Sequence, residues 1–322
     1  MRYIAFNKEQ ELSFEETEIP TINDDECLIK VSAIGVNRAD ILQRQGNYPA
    51  PPGESSILGI EACGELFALG KSAQNWQQGD KVLAIVPGGA YAQYVKVKTE
   101  HLIKLPHNLN YVDGASIAEV FLTAYQCLFT IANLQPKTNV LIHAGASGVG
   151  TAAIQLAKYI NCHVTVTVGS EEKCLACKAL GADEVINYQE TNFVEWSKKA
   201  GRSYDVILDV VAGEYVNKNI NVCALDGHIV MLSMLGGRYA ESVDVAKMLL
   251  KRVNMHATTL RSRSDKYKSE LIKDFTENFY HCFESGSLNP VIYKNFNWQE
   301  VDIAHHTMLS NANIGKLVLT VD

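Results

Sequence analysis

Nowhere in these 322 residues is there an unbroken apolar run of the ~18 that a membrane-spanning helix requires. The opening stretch MRYIAFNKEQELSF lacks the apolar core of a signal peptide and the Arg/Ser-rich character of a transit peptide, so a cytoplasmic protein is expected. Positive charge is in deficit: 29 Lys and Arg against 36 Asp and Glu leave a formal net charge of −7. That balance argues against a nucleic acid or an anionic membrane as the main partner. Cysteine clusters are missing too. The eight cysteines are scattered at 27, 63, 127, 162, 174, 177, 223 and 282, as reduced and mostly buried thiols are, and not as a disulfide framework. Cys174 and Cys177 have no second pair and no nearby His, so they read as neighbours on an exposed helix and not as a redox or metal site. No internal repeat, nucleophilic triad or catalytic carboxylate pair is evident.

What remains is a chain 47% hydrophobic and 20% charged, ordinary for a globular protein and long enough for about two domains. Over residues 1–122, short apolar segments such as ECLIKVSAIGVN and YAQYVKVKTEHLIKL are broken by Gly, Pro and Asn, the pattern of a mainly β domain. From Thr123 to Arg261 the pattern changes. VLIHA, VTVTVGS, EVINY, YDVILDV and HIVMLSM alternate with helical segments, which predicts a doubly wound parallel sheet with helices on both faces. Gly181-Ala182 and Gly227 are expected to end helices before the next strand. Residues 262–322, with the amphipathic SDKYKSELIKDFTENFYHCFESG and the closing strand GKLVLTV, are expected to return to the first domain.

The most informative stretch is VLIHAGASGVGTAAIQLAK, residues 140–158. An apolar run, a small-residue turn and an amphipathic helix follow one another directly. The turn Gly145-x-Ser147-x-x-Gly150 is close to a dinucleotide-binding fingerprint. Its first small residue permits the strand-to-helix turn, the second lets a pyrophosphate approach, and the third lets the helix pack on the sheet. Amides at the helix start, Gly148 and Val149 among them, attract the phosphates. The second strand of this region ends in Val168-Gly169-Ser170, with Lys173 one helical turn later. An NAD site would place an acid there to bind the ribose 2′-OH, whereas a hydroxyl and a lysine favour a 2′-phosphate, hence NADPH. Glu171-Glu172 is the counter-signal, serving NAD or the helix dipole.

Together with AIGVNRADILQRQGNYPAPPG, ILGIEACGEL, the Gly79-Asp80-Lys81-Val82 turn, FLTAYQCL and NIGKLVL, these segments resemble the zinc-free quinone oxidoreductase branch of the medium-chain dehydrogenase/reductase superfamily, essentially end to end. The resemblance implies a Rossmann-type sheet plus a mainly β, GroES-like catalytic domain. It implies a homodimer joined by sheet edges, and reduction of a small-molecule quinone or, alternatively, a 2-alkenal or enone. A NADPH-binding protein with little turnover, in redox signalling or as a lens-type structural protein, is the reading from another class. Where the zinc alcohol dehydrogenases carry a catalytic Cys and a His, this chain has Asn37 and Ile60, so no zinc is expected.

By the same resemblance Ser170, Lys173 and Tyr188 form the phosphate pocket, Thr123 touches the nicotinamide amide, and Leu235, Leu260 and Lys316 lie on loops over the cofactor. Asn37 is the expected first contact, its amide donating to a substrate oxygen or holding the nicotinamide ribose; the bland alternative is a loop cap. Tyr48 stacks on or bonds to substrate or cofactor, or covers the core. Asp40 is read as a helix cap, Glu61 as an ion-pair partner, His143 as packing at a strand end, and His305-His306 as surface.

Overall fold

The computed structural model describes residues 1–322 and divides them into two compact units, Met1–Leu122 with Leu260–Asp322, and Thr123–Thr259. The return to the first unit begins at Leu260, not at Ser262. Arg261 shows why: its guanidinium binds the Pro87 carbonyl at 2.6 Å and the Gln43 side chain at 2.7 Å, both in that unit.

The first unit is built on a seven-stranded sheet whose spine is Glu26–Val36. This strand is buried along almost its whole length, which is why ECLIKVSAIGV reads as a near-continuous apolar run. Its first half pairs with Tyr94–Lys98 and its last residues with Lys316–Thr320, while Glu61–Leu69 covers the other edge, all antiparallel. The closing strand of the chain therefore inserts beside the residues that lead into Asn37. The Asp265–Glu284 helix is capped by Ser264, whose Oγ accepts from the Tyr267 N–H at 3.3 Å. It buries Leu271, Ile272, Phe275, Phe279 and Phe283 on one stripe, with Phe283 edge-on to Phe121 at 4.9 Å.

The second unit holds six parallel strands in the spatial order Glu184–Asn187, His163–Val168, Asn139–His143, Tyr204–Asp209, Cys223–Met231, Asn254–Ala257. Every neighbouring pair is parallel. In chain order this is third, second, first, fourth, fifth, sixth, the doubly wound order of the Rossmann fold. Progression reverses between Asn139–His143 and Tyr204–Asp209, so the loops leaving their carboxyl ends diverge and open the place where such sheets bind ligands.

Three expectations are corrected. Gly227 does not end a helix; it lies inside Cys223–Met231, next to Asp226 at φ +61°, where the strand register shifts. Cys174 and Cys177 are both buried, because their helix turns that face onto the sheet. His305 is buried and only His306 is exposed. The stretch Tyr111–Ile131 is long and apolar enough to cross a membrane by length and composition, yet 78% of its most apolar window is buried within the protein, as in a core helix. The periodicity also missed the short helix Val245–Lys251 and the edge strand Asn254–Ala257.

Candidate functional site

In the parallel-sheet unit the fingerprint turn follows Asn139–His143. Its left-handed residue is Ala144, at φ +54°, and not Gly145. Gly145 is small for a different reason: a β-carbon there would lie 2.7 Å from that of Val166 on the neighbouring strand. At Gly150 a β-carbon would sit 2.4 Å from the Ala144 carbonyl oxygen, so only glycine lets the helix start this close to the strand end. Ser147 caps the Gly148–Tyr159 helix, its Oγ accepting from the Gly150 N–H at 3.0 Å. The amides of Gly148 and Val149, the first two residues of that helix, have no acceptor inside it, and the helix dipole adds positive potential.

Ser170, Lys173 and Tyr188 gather at the carboxyl ends of the two adjoining outer strands. Ser170 caps the Glu171–Ala179 helix, accepting from the Lys173 N–H at 3.3 Å. The Tyr188 N–H extends the ladder to Val168 at 3.0 Å, which lays its hydroxyl over the Gly169 backbone. Lys173 is half-buried, and desolvation draws its pKa down, against the pull of Glu172. Glu171 and Glu172 themselves are exposed in the first turn. A cleft of about 260 Å³ opens beside Tyr188, walled by Phe193 and Tyr215 with Glu190 and Lys218 on its rim. Leu235 is exposed, on a loop pinned by its N–H to the Val210 carbonyl at 3.2 Å, and Thr123 is buried in the Ala118–Tyr125 helix.

In the β-rich unit Asn37 does not offer its amide. Its Nδ2 donates to Glu61 Oε1 at 2.9 Å and to the Gly35 carbonyl at 3.1 Å, and its Oδ1 accepts from Lys316 at 2.8 Å. The reading of Asn37 as a hydrogen-bond donor to substrate is thereby corrected; the alternative of a cap fits, since Asn37 is the N-cap of the Arg38–Arg44 helix and its N–H bonds to Asp40 Oδ2. Lys316 is corrected as well. Its three N–H bonds go to the Val36 carbonyl, Asn37 Oδ1 and Glu61 Oε1, leaving none for a cofactor, and its side chain is 3% exposed. Glu61 is the ion-pair partner expected of it; its other oxygen accepts from the Glu119 N–H at 2.9 Å.

Asp40 accepts from the Asn37 N–H at 2.8 Å and from the Tyr91 hydroxyl at 3.2 Å. Its second oxygen is buried without a partner. Burial pushes this carboxyl up to about 7, against the Asn37 N–H, Lys316 and Arg261, which favour its charged form, and with Glu61 adding to the rise. The Tyr91 hydroxyl also meets His305 Nε2 at 3.0 Å, and His305 Nδ1 meets Arg44 at 3.3 Å. Arginine only donates, so Nδ1 accepts and Nε2 carries the proton. Burial, then the Arg44 charge, pushes His305 down to about 4, which keeps it neutral.

Sequence reasoning did not single out Arg261. It holds the Tyr48 carbonyl at 3.4 Å and stands 5.5 Å over the half-buried Tyr48 ring, fixing the one expected site tyrosine of this unit. Leu260 is buried beside it. Nowhere do three or more His, Cys, Asp or Glu side chains gather as a metal ion would require.

Two family models match: an alcohol dehydrogenase GroES-like domain over residues 23–107 and a zinc-binding dehydrogenase over 148–277. Human quinone oxidoreductase is 28% identical over 305 residues, covering 94% of this chain and 91% of that one. The zebrafish (Danio rerio) synaptic vesicle membrane protein VAT-1 homolog is 27% identical over 317 residues; the match takes in 94% of this chain but 66% of that protein, just under two thirds of its length. Among solved structures, the JamJ enoyl reductase superposes with a TM-score of 0.87 at 27% identity, covering 100% of this chain and 99% of that one. Escherichia coli quinone oxidoreductase, solved with NADPH, gives 0.87 at 24% identity, covering 99% and 98%, a likeness of fold.

Two consequences of the buried charges are measurable. The folded state holds on Asp40 a proton that the unfolded chain has released above its ordinary pKa. Stability contributed by this group is therefore lost as pH rises from about 4 to about 7. Asp40→Asn keeps both acceptor bonds and should remove that decline, raising stability at pH 8 by about 2–4 kcal/mol in denaturant titrations; an unchanged pH slope would contradict it. Lys316→Met should cost about 3–5 kcal/mol by leaving Glu61 buried and unpaired, and adding Glu61→Gln should recover most of that loss in the same titration.

Proposed function

We propose that this chain, a member of the medium-chain dehydrogenase/reductase superfamily of oxidoreductases, reduces quinones with NADPH, small or ortho-quinones foremost, and needs no metal ion. The observation that carries the reading is the end of the His163–Val168 strand. The strand ends in Val168-Gly169-Ser170 without an acid, Glu171 and Glu172 lie exposed in the turn after it, and Ser170, Lys173 and Tyr188 adjoin there. A 2′-phosphate is satisfied by a cation and hydroxyls, whereas a bare 2′-OH asks for an acid. The residues present also suit the rest of the dinucleotide. Two helix amides lack intrahelical acceptors, and the turn before them is kept free of β-carbons at Gly145 and Gly150. Once bound, NADPH supplies a hydride.

The protein's share is to hold the acceptor and exclude water, since a quinone is already electrophilic and needs little activation. That accords with a chain that offers no nucleophile. Tyr48, fixed by Arg261, is the side chain proposed to meet the acceptor; Asn37, Glu61 and Lys316 shape the backbone before it. The segments NRADILQRQGNY and IHAGASGVGTAAIQLAK resemble the tumour-suppressor-inducible quinone oxidoreductase, which supports the quinone reading. A second reading, reduction of an enone or 2-alkenal, is favoured by the likeness to the JamJ enoyl reductase. It requires a proton after the hydride, from Tyr48 or solvent.

A homodimer joined through the parallel sheets is part of the proposal. Asn254–Ala257 is the outer strand of its sheet. The preceding helix Val245–Lys251 buries none of its residues and exposes Val245, Leu249 and Leu250, an apolar surface that a second copy would cover. Light scattering should give twice the 35.5 kDa chain mass, and Leu249→Asp with Leu250→Asp should give the single mass; a monomeric wild type would contradict the assembly.

The activity test is oxidation of NADPH with 1,2-naphthoquinone, beside NADH and beside an enone. Turnover with NADPH and the quinone, and at least about tenfold less with NADH, is the expected result. Lys173→Glu should raise the KM for NADPH far more than that for NADH by setting a like charge against the phosphate. An equal effect on both cofactors would remove Lys173 from the pocket. Turnover with the enone alone would move the assignment to alkene reduction. Binding of NADPH with no acceptor reduced would support a signalling or structural role.

A further inference from the structure

We infer that a one-way chain of buried hydrogen bonds, Thr167–His143–Asn219–Asp209, positions the loop that receives the dinucleotide, so that these side chains set cofactor affinity through the backbone of Val211 and Ala212. The inference rests on the reading that this unit binds a dinucleotide.

The four residues come from three adjacent strands and the Tyr215–Val222 helix, and each is at most 1% exposed. Thr167 Oγ1 lies 2.9 Å from His143 Nδ1, and His143 Nε2 lies 2.7 Å from Asn219 Oδ1. Asn219 Nδ2 donates to Asp209 Oδ2 at 2.9 Å, and Asp209 Oδ1 accepts from the N–H groups of Val211 at 2.7 Å and Ala212 at 3.0 Å.

The direction of every bond follows from Asp209. A carboxylate only accepts, so Asn219 must turn its NH2 toward it and its oxygen toward His143. His143 Nε2 therefore carries the proton, and its Nδ1 accepts from the Thr167 hydroxyl. Burial, opposed by the Asp209 charge, lowers the His143 pKa and keeps the ring neutral. Phe193 and Tyr215 pack edge-on to it, each at 4.9 Å.

A fully buried carboxylate with no cation against it is costly unless both its oxygens are hydrogen-bonded. Here three N–H groups bond them, and two belong to the loop at the reversal of strand order. That loop is strained, with Ala212 at φ +55° followed by Gly213 at φ +54°. Its carbonyls carry the arrangement onward: Val210 accepts from the Leu235 N–H at 3.2 Å and Val211 from the Gly236 N–H at 2.7 Å. At its other end, His143 leads directly into Ala144 and Gly145 of the fingerprint turn. One chain thus fixes both loops that flank the reversal, where dinucleotides bind in this kind of sheet.

The order of donors and acceptors is what the test changes, with NADPH affinity read by fluorescence titration of the full-length protein and thermal midpoints measured alongside. Asn219→Asp sets two carboxylates together and should raise the NADPH Kd roughly tenfold or more. Asp209→Asn alone should be mild, under about threefold, because Asn219 can flip and His143 can take its other tautomer. Asp209→Asn with Asn219→Asp again gives every donor an acceptor, reversing only the 209–219 bond and keeping the direction of the others, and the Kd should return to within about threefold of wild type. Should Asn219→Asp not fold, His143→Gln, which keeps a donor toward Asn219, is compared with His143→Phe; the Gln variant should bind about tenfold better. Asn219→Asp binding like wild type, a double swap as weak as the single variant, or equal Gln and Phe variants would overturn the positioning role. A wild type that binds neither NADPH nor NADH would instead refute the dinucleotide reading, and this inference with it.

Discussion

The reversal of strand order between Asn139–His143 and Tyr204–Asp209 is the constraint on which the parallel-sheet unit depends. Two loops must leave the carboxyl ends of adjacent strands in opposite directions, and their backbone groups lose the ladder partners that the strands enjoy. The chain meets this with left-handed residues at Ala144, Ala212 and Gly213 and with a buried polar network beneath them. The glycines of the fingerprint act at the same place. They let the helix start so near the strand that its unused amides converge on one point.

The β-rich unit shows a second way of handling buried polarity. Lys316, arriving on the last strand of the chain, neutralises Glu61 and engages Asn37 at once, with all three side chains withdrawn from water. Removing charges from water is costly, and such a node is tolerated when each donor finds an acceptor, as it does here. Asp40 is treated differently. No cation touches it, one oxygen is unpartnered, and burial favours its neutral form. Its neighbours Tyr91 and His305 are locked into one arrangement of donors by Arg44. These residues stiffen the base of the segment that carries Tyr48, with Arg261 holding the other side.

Local periodicity made the strands legible, because VLIH, VTVTV and DVILD are buried on both faces and had to read as apolar runs. The fingerprint turn was legible for the same reason: its partners lie within a few residues of one another. What escaped depends on distant pairings. Asn37 looked free because Lys316, which occupies its oxygen, lies 279 residues away. His143 looked like packing because its partner Asn219 is 76 positions on. His305 looked exposed because only the fold brings Tyr91 and Arg44 against it. Arg261 carried no local signal, since its acceptors are Gln43 and two carbonyls on other loops. Gly227 misled because a glycine in a strand with shifted register looks, in sequence, like one that ends a helix.

The central claim is that the Thr123–Thr259 unit holds a dinucleotide by its 2′-phosphate at Ser170, Lys173 and Tyr188. Calorimetric titration with adenosine 2′,5′-bisphosphate against adenosine 5′-diphosphate tests this without any acceptor or turnover. The account predicts that the 2′-phosphorylated fragment binds at least about tenfold tighter, and that the advantage shrinks at high salt as the charge contact is screened. Equal affinity for the two fragments, or a preference for the diphosphate, would contradict it.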